Sequence, residues 1–129
     1  MARNMRGETL MSVTSYRDLE AWQRGMALVE TCYTLTAVMP AEERFILCTQ
    51  IKRAAISIPA NLAEGHRRPT RAYINHVSIA LGSHAELETY LELTRRLKLL
   101  TDPPLADADR LLESVGQLLH GLIRALERR

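Results

Sequence analysis

Beyond Ser15, apolar residues return at intervals of three and four, with charged residues filling the positions between. That spacing lays one face along an α-helix, and it occurs in four separate stretches. Ser15 can cap the first, with Asp18 at the capping-box position, and Leu19, Trp22, Met26, Val29, Tyr33 and Thr36 supply its stripe. Pro40 ends that run. Glu42 and Glu43 suit the first turn of a second helix, where carboxylates complement the dipole. Phe45, Cys48, Ile51, Ala55, Ile58 and Leu62 form the second stripe, which reaches about His66. A helix of about 26 residues at ~1.5 Å each would be a rod of about 39 Å. Pro59 interrupts this stripe without shifting its phase. It removes one N–H and strands the carbonyl of Ala55, so a kink and not a break is expected, with Ser57 placed to take up some of the lost hydrogen bonding.

Gly65 is the first stop signal, and Pro69 with Thr70 closes the second helix and caps a third that runs to about Leu100. The run TDPP marks the next turn, with Asp102 as cap, and Leu105, Ala108, Leu112, Val115, Leu119, Leu122 and Leu126 line the last helix. Four amphipathic helices joined by short turns predict an all-α fold, an antiparallel up-down-up-down four-helix bundle over residues 15–129. Residues 1–14 show no periodicity and read as a disordered lead-in, with Met11 an alternative start.

The third helix is apolar on two sides. At about 100° per residue, Tyr73, Val77, Ala80, Leu81, His84, Leu87 and Leu91 gather on the side expected to face the core. Ile79, Tyr90, Leu93 and Leu97 gather on the opposite side, with the small residues Gly82 and Ser83, and Glu86, beside them. A helix apolar on both flanks needs two covers, and a second copy of the chain is the expected outer one. On the second helix, Gln50, Arg53, Ser57, Asn61 and Glu64 share a polar stripe. Ser and Asn are poor choices for an exposed helix interior. These side chains are therefore expected to bond to neighbours, either across a subunit contact or to Glu86.

Composition narrows the field. A chain of 129 residues is one domain, rich in Leu and Ala, and its net charge of +2 is too small to argue for nucleic acid by itself. Cys32 and Cys48 lack metal-type spacing and read as small buried hydrophobes of a reducing, cytoplasmic environment. No apolar run approaches the ~20 residues of a membrane span. His66, His76, His84 and His120 have no ligand spacing, and no Glu-x-x-His pair, glycine-rich phosphate loop or nucleophile motif occurs. No metal, no cofactor and no small-molecule substrate are expected. The chain does not read as an enzyme.

Three stretches carry a resemblance. "SYRDLEAWQRGMALV", "IKRAAISIPANLAEGHRR" and "YINHVSIALGSHAELETYLELTRRL" resemble the 23S rRNA-intervening-sequence protein family over about residues 15–126. Those are small bacterial four-helix bundles, similar in turn to the accessory variability determinant of diversity-generating retroelements. The resemblance implies a homopentamer, and the retroelement relatives bind nucleic acid and a reverse transcriptase through basic surface. Two departures stand out: His84 where a leucine is usual, and His76 where an aromatic is common.

The topology also gathers charge. In an up-down bundle the turn after the second helix lies at the same end as the C-terminus, so Arg67, Arg68 and Arg71 meet Arg124, Arg128 and Arg129, with Arg17 entering from the N-terminal side. Guanidinium groups make paired hydrogen bonds to phosphate oxygens, so this rim suits RNA. Arg95, Arg96 and Lys98, at the other end, read as dipole partners of a helix C-terminus. The expected protein is a homo-oligomeric, non-enzymatic binding module or scaffold, with RNA or a nucleic-acid-associated protein as partner. Two alternatives stand beside it. One is a purely structural protein-interaction oligomer. The other is a ribonuclease, because "RAYINH" resembles the R-x4-H motif of HEPN-type domains, with Arg71 and His76 in the catalytic roles. Five positions turn a helix by about 140°, so that pair does not share a face.

Overall fold

The computed structural model describes residues 15–101 and 103–129, so the lead-in at 1–14 and the cap at Asp102 lie outside the described residues. A 3₁₀ turn, Tyr16–Asp18, leads into α1 (Glu20–Ala37). A second turn, Ala41–Glu43, precedes α2 (Leu47–His66), and α3 (Thr70–Arg96) and α4 (Pro104–Glu127) follow. Contacts between neighbours run in opposite chain directions. Ser57 of α2 meets Ser83 of α3, while Asn61 meets His76. Cys48 of α2 reaches Thr36 of α1, whereas Pro59 lies against Gly25. Helix α1 packs on α2 and α4, and α3 packs on the same two, which closes an up-down-up-down bundle.

The core is continuous through all four helices, with Leu28, Leu35, Ile51, Ile58, Leu62, Val77, Leu87, Leu105 and Leu119 fully buried. Each such side chain contributes about 1.5–3 kcal/mol over leaving it exposed. The stripes expected on α2 and α4 are the ones buried, apart from Phe45 and with Leu122 half-buried at the edge. On α3, Tyr73, Val77, Ala80, Leu87 and Leu91 are buried as expected. Cys32 and Cys48 are free and buried, and burial pushes the Cys32 thiol up to about 12.

Helix α1 is rotated from the expected face. Ala21, Gly25, Leu28, Cys32 and Leu35 point inward, while Trp22 and Val29 are only half-buried and Met26 and Tyr33 are exposed. The reason is proximity: α2 presents the Pro59 ring to α1, and only small residues such as Gly25 let the helices meet there. Ser15 caps the 3₁₀ turn, not α1, its Oγ accepting from the Arg17 N–H at 3.1 Å.

Helix α2 begins later than the stripe implied and has 20 residues. Glu42 and Glu43 lie in the preceding turn, and Ile46, at φ −117° and ψ −93°, breaks the register before Leu47. Phe45 therefore misses the core and is 83% exposed. The helix runs unbroken through Pro59 and ends at His66 as expected, one residue past Gly65, which itself stays helical. A Cβ at Gly65 would lie 2.7 Å from the Cβ of His76 and 3.1 Å from the Tyr73 ring. The glycine is there to let α2 and α3 touch.

Helix α3 ends at Arg96, short of the expected Leu100. The Leu99 N–H donates to the Thr94 carbonyl at 3.0 Å and the Lys98 N–H to that of Arg95 at 3.1 Å, the paired bonds of a Schellman motif. Its left-handed residue is Lys98 (φ 57°), where glycine is usual. Lys98→Gly should therefore raise stability by about 0.5–1 kcal/mol, read as a higher urea midpoint at unchanged slope.

Candidate nucleic-acid interface

Three residues of the polar stripe of α2, Ser57, Asn61 and Glu64, find partners within the chain. Asn61 Nδ2 donates to the Ser57 carbonyl at 2.9 Å and to Ser57 Oγ at 3.1 Å, and Ser83 Oγ donates to Ser57 Oγ at 2.7 Å. With its amide so committed, Asn61 presents Oδ1 to His76 Nδ1 at 3.0 Å, which fixes the proton on Nδ1. Ser57 thus bonds to Asn61 and Ser83, not to the carbonyl that Pro59 strands. Ser83, expected at a subunit contact, is inside its own bundle, sealed against Ser57. Glu86 does not serve the stripe either; it accepts from the Tyr90 hydroxyl at 3.2 Å. Arg53 is exposed and forms no ion pair among the described residues. His84 of α3 enters the space left by Gly116 of α4, where Nε2–H donates to the Leu112 carbonyl at 2.7 Å.

The cationic rim lies where the C-terminal ends of α2 and α4 meet the N-terminal turn. Tyr16 stands at its centre, with the guanidinium of Arg17 5.6 Å and that of Arg67 5.7 Å from its ring centroid. Arg17 also lies 5.6 Å from the Trp22 ring, and Trp22 packs edge-on to Tyr16 with centroids 5.5 Å apart. Gln23 Nε2 ties the turn down by donating to the Arg17 carbonyl at 3.0 Å. Sequence reasoning named the arginines but missed these aromatics; their signal was the alternation of aromatic and charged residues in "SYRDLEAW".

The rim's cations are not equivalent. Arg68 is paired with Glu64 at 3.3 Å and is partly neutralised. Arg17, Arg67, Arg71, Arg124, Arg128 and Arg129 form no ion pair among the described residues. Arg71 sits in the first turn of α3, where the dipole disfavours a cation, so dipole complementarity does not account for it. The other end of the bundle differs. Arg95 pairs with Glu92 at 2.6 Å and with Asp109, and Arg96 pairs with Glu92 at 3.0 Å. Hydrogen bonds from Arg96 and Arg95 hold the Glu92 carboxyl below its ordinary value. Charge is balanced there and left over at the rim.

His66 reports that surplus. Burial, then the charges of Arg129 and Arg67, push its pKa below the ordinary 6.5, with Asp18 opposing. An imidazole depressed on folding takes up its proton more readily when unfolded. Stability should therefore fall as pH drops through 6.5, and this slope should flatten in His66→Gln when melting is followed from about pH 7.5 to about pH 5.5.

The outer side of α3 is open in the single chain. Ile79 and Leu93 are exposed, Leu97 is 60% exposed, and Tyr90 is half-buried against the core. Gly82 is exposed, with nothing near a Cβ placed on it. Phe45 and Ile46, missed as surface residues from sequence, add apolar area at the end of the bundle where α3 terminates.

Fold and surface together define a small helical bundle with one unbalanced cationic end and one uncovered apolar helix face. Among the described residues, no group of three or more His, Cys, Asp or Glu could hold a metal ion, and no helix is long and apolar enough to cross a membrane. The chain belongs to the 23S rRNA-intervening sequence protein family, whose model matches residues 17–121. A solved structure of a protein of unknown function from the S23 ribosomal protein family of Bacteroides thetaiotaomicron has the same fold. Its TM-score is 0.74 at 24% identity, over 81% of this chain and 95% of that one. No curated protein sequence matches.

Proposed function

We propose that the chain is a non-enzymatic, homo-oligomeric binding or scaffold protein whose cationic rim holds RNA, with the outer face of α3 joining the copies. The observation that carries RNA binding is the unequal charge of the two ends: Arg17 and Arg67 flank Tyr16 with no ion pair among the described residues, whereas Arg95 and Arg96 are neutralised. Guanidinium groups without carboxylate partners suit a nucleic-acid backbone, since phosphates take the charge. Self-association is supported by the stepping of Ile79, Glu86, Tyr90, Leu93 and Leu97, a seam of the kind that packs against another helix. The family resemblance makes the expected assembly a pentamer.

A salt titration of RNA binding tests the rim. Replacing Arg67, Arg71 and Arg129 together by Ala should weaken binding and make the dependence of log affinity on log salt shallower by about 2–3. Equal affinity and slope in the triple variant would remove RNA from the account and leave a structural oligomer. The ribonuclease reading gains no support: His76 is turned inward onto Asn61, while Arg71 lies exposed.

A further inference from the structure

We propose that the cleft bounded by Ser15, Tyr16, His66 and Arg67 is a phosphoryl subsite in which His66 takes up a proton as the anion enters. The inference rests on the rim being the nucleic-acid surface and specifies where on it, and in which protonation state, a phosphate is held.

The cleft encloses about 410 Å³, bounded by the N-terminal turn on one side and the end of α2 on the other. Each of the four side chains that line it can donate a hydrogen bond. The Arg67 guanidinium is free of any carboxylate among the described residues, and the Ser15 hydroxyl, which accepts from the Arg17 N–H, keeps its own proton to give. His66 stands between charges from every neighbouring element: Arg67 on its own helix, Arg129 from the end of α4, and Asp18 from the N-terminal turn. From α3, Tyr73 packs edge-on to the imidazole with centroids 5.8 Å apart.

Two consequences follow from that arrangement. Burial, and then two guanidinium groups against one carboxylate, disfavour a proton on His66 while the cleft holds no anion, in keeping with its lowered pKa. An oxyanion reverses the local field, so anion and proton enter together. The second concerns Tyr73, which burial pushes up to about 12 and which stays a neutral hydroxyl. Its Oη is buried and has no hydrogen-bond partner among the described residues. Buried polar groups of this kind pair with an ordered water or ligand, and this one belongs to the ring against His66.

The test follows the His66 ring signals by NMR across pH in the full chain, in sodium sulfate and in sodium chloride at equal ionic strength. Sulfate keeps its charge throughout the range, so any linked proton belongs to the protein. The expected result is a His66 pKa raised by sulfate beyond chloride, with sulfate affinity increasing about three- to tenfold from about pH 7.5 to about pH 5.5. Arg67→Ala and Arg129→Ala should each shrink that increase, and His66→Gln should abolish it. Equal titration in the two salts, or a sulfate effect untouched by Arg67→Ala, would overturn the subsite.

A short oligouridine with and without a 5′-phosphate separates the sources of the phosphate. Acid-strengthened binding of both assigns the subsite to backbone diesters and of the phosphorylated form alone to a strand end, whereas binding of both that acid leaves unchanged rejects it. Oligouridine bound without any sulfate linkage would sink the subsite and spare the rim. Sulfate linkage without RNA binding would do the reverse.

Discussion

Gly65→Ala should lower the melting temperature by about 8 °C, although alanine is the better helix former. The added methyl would sit 2.7 Å from the Cβ of His76, an atom fixed to the α3 backbone, and 3.1 Å from the Tyr73 ring. Neither can swing away, so α2 and α3 must part near their tightest contact. Overpacking costs about 1–3 kcal/mol, and against atoms that cannot move it reaches the top of that range, ~2 kcal/mol beyond the ~1 kcal/mol that alanine gains over glycine in a helix. Net losses near 2 kcal/mol correspond to about 6–10 °C in a domain of this size. Gly25→Ala supplies the control. There the nearest atom, in the Pro59 ring, is 3.6 Å away, an ordinary contact, so the same chemical change should be neutral or slightly stabilising. A Gly65→Ala protein that melts with the parent would show that the close approach is not rigid.

Asn61→Leu should cost about 2–3 kcal/mol, or about 10 °C, by removing the side chain that joins Ser57 to His76. The loss is asymmetric. Ser57 keeps its bond from Ser83, whereas the Nδ1–H of His76 has no other acceptor among the described residues and is left part-buried and unpaired. Replacing His76 by Phe should therefore cost less in the Asn61→Leu background than in the parent, with a coupling of about 1–2 kcal/mol in a double-mutant cycle. Additive effects would mean that the Asn61–His76 bond contributes nothing to stability.

These two residues also show where the sequence stopped being legible. Periodicity placed the buried stripes of α2, α3 and α4, because a Leu or Ile every third or fourth position has one physical use in a bundle. It misplaced α1, where large Met26 and Tyr33 outweighed small Ala21, Gly25 and Cys32 in the pattern, although the small residues are the ones that fit against Pro59. Phe45 failed for a related reason: nothing in the spacing announces the break at Ile46 that carries it out of register. Gly65 looks like a stop in one dimension and is a contact in three. The oddity of Ser57, Asn61 and Glu64 was visible as polar residues where a helix does not favour them. Their partners on α3 were not, since pairing depends on the register between two helices.

The rim was legible as far as topology could take it. The arginines of the α2–α3 turn and the C-terminus were expected at one end, and of these Arg67 and Arg129 both act on His66. Which of them remain available was hidden, because Arg68 meets Glu64 across one helical turn and Arg95 reaches Asp109 on another helix. The role of Tyr16 as the ring shared by Arg17 and Arg67 depends on a 3₁₀ turn that the helical pattern did not contain.

The outer face of α3 carries the central claim, and the mass of the particle in solution tests it most directly. Light scattering on the purified chain at micromolar concentration should give a whole-number multiple of 14.6 kDa, five being the expected multiple, and Leu93→Glu with Leu97→Glu should reduce it to the single-chain mass. A parent protein that already runs as one 14.6 kDa chain would contradict the account.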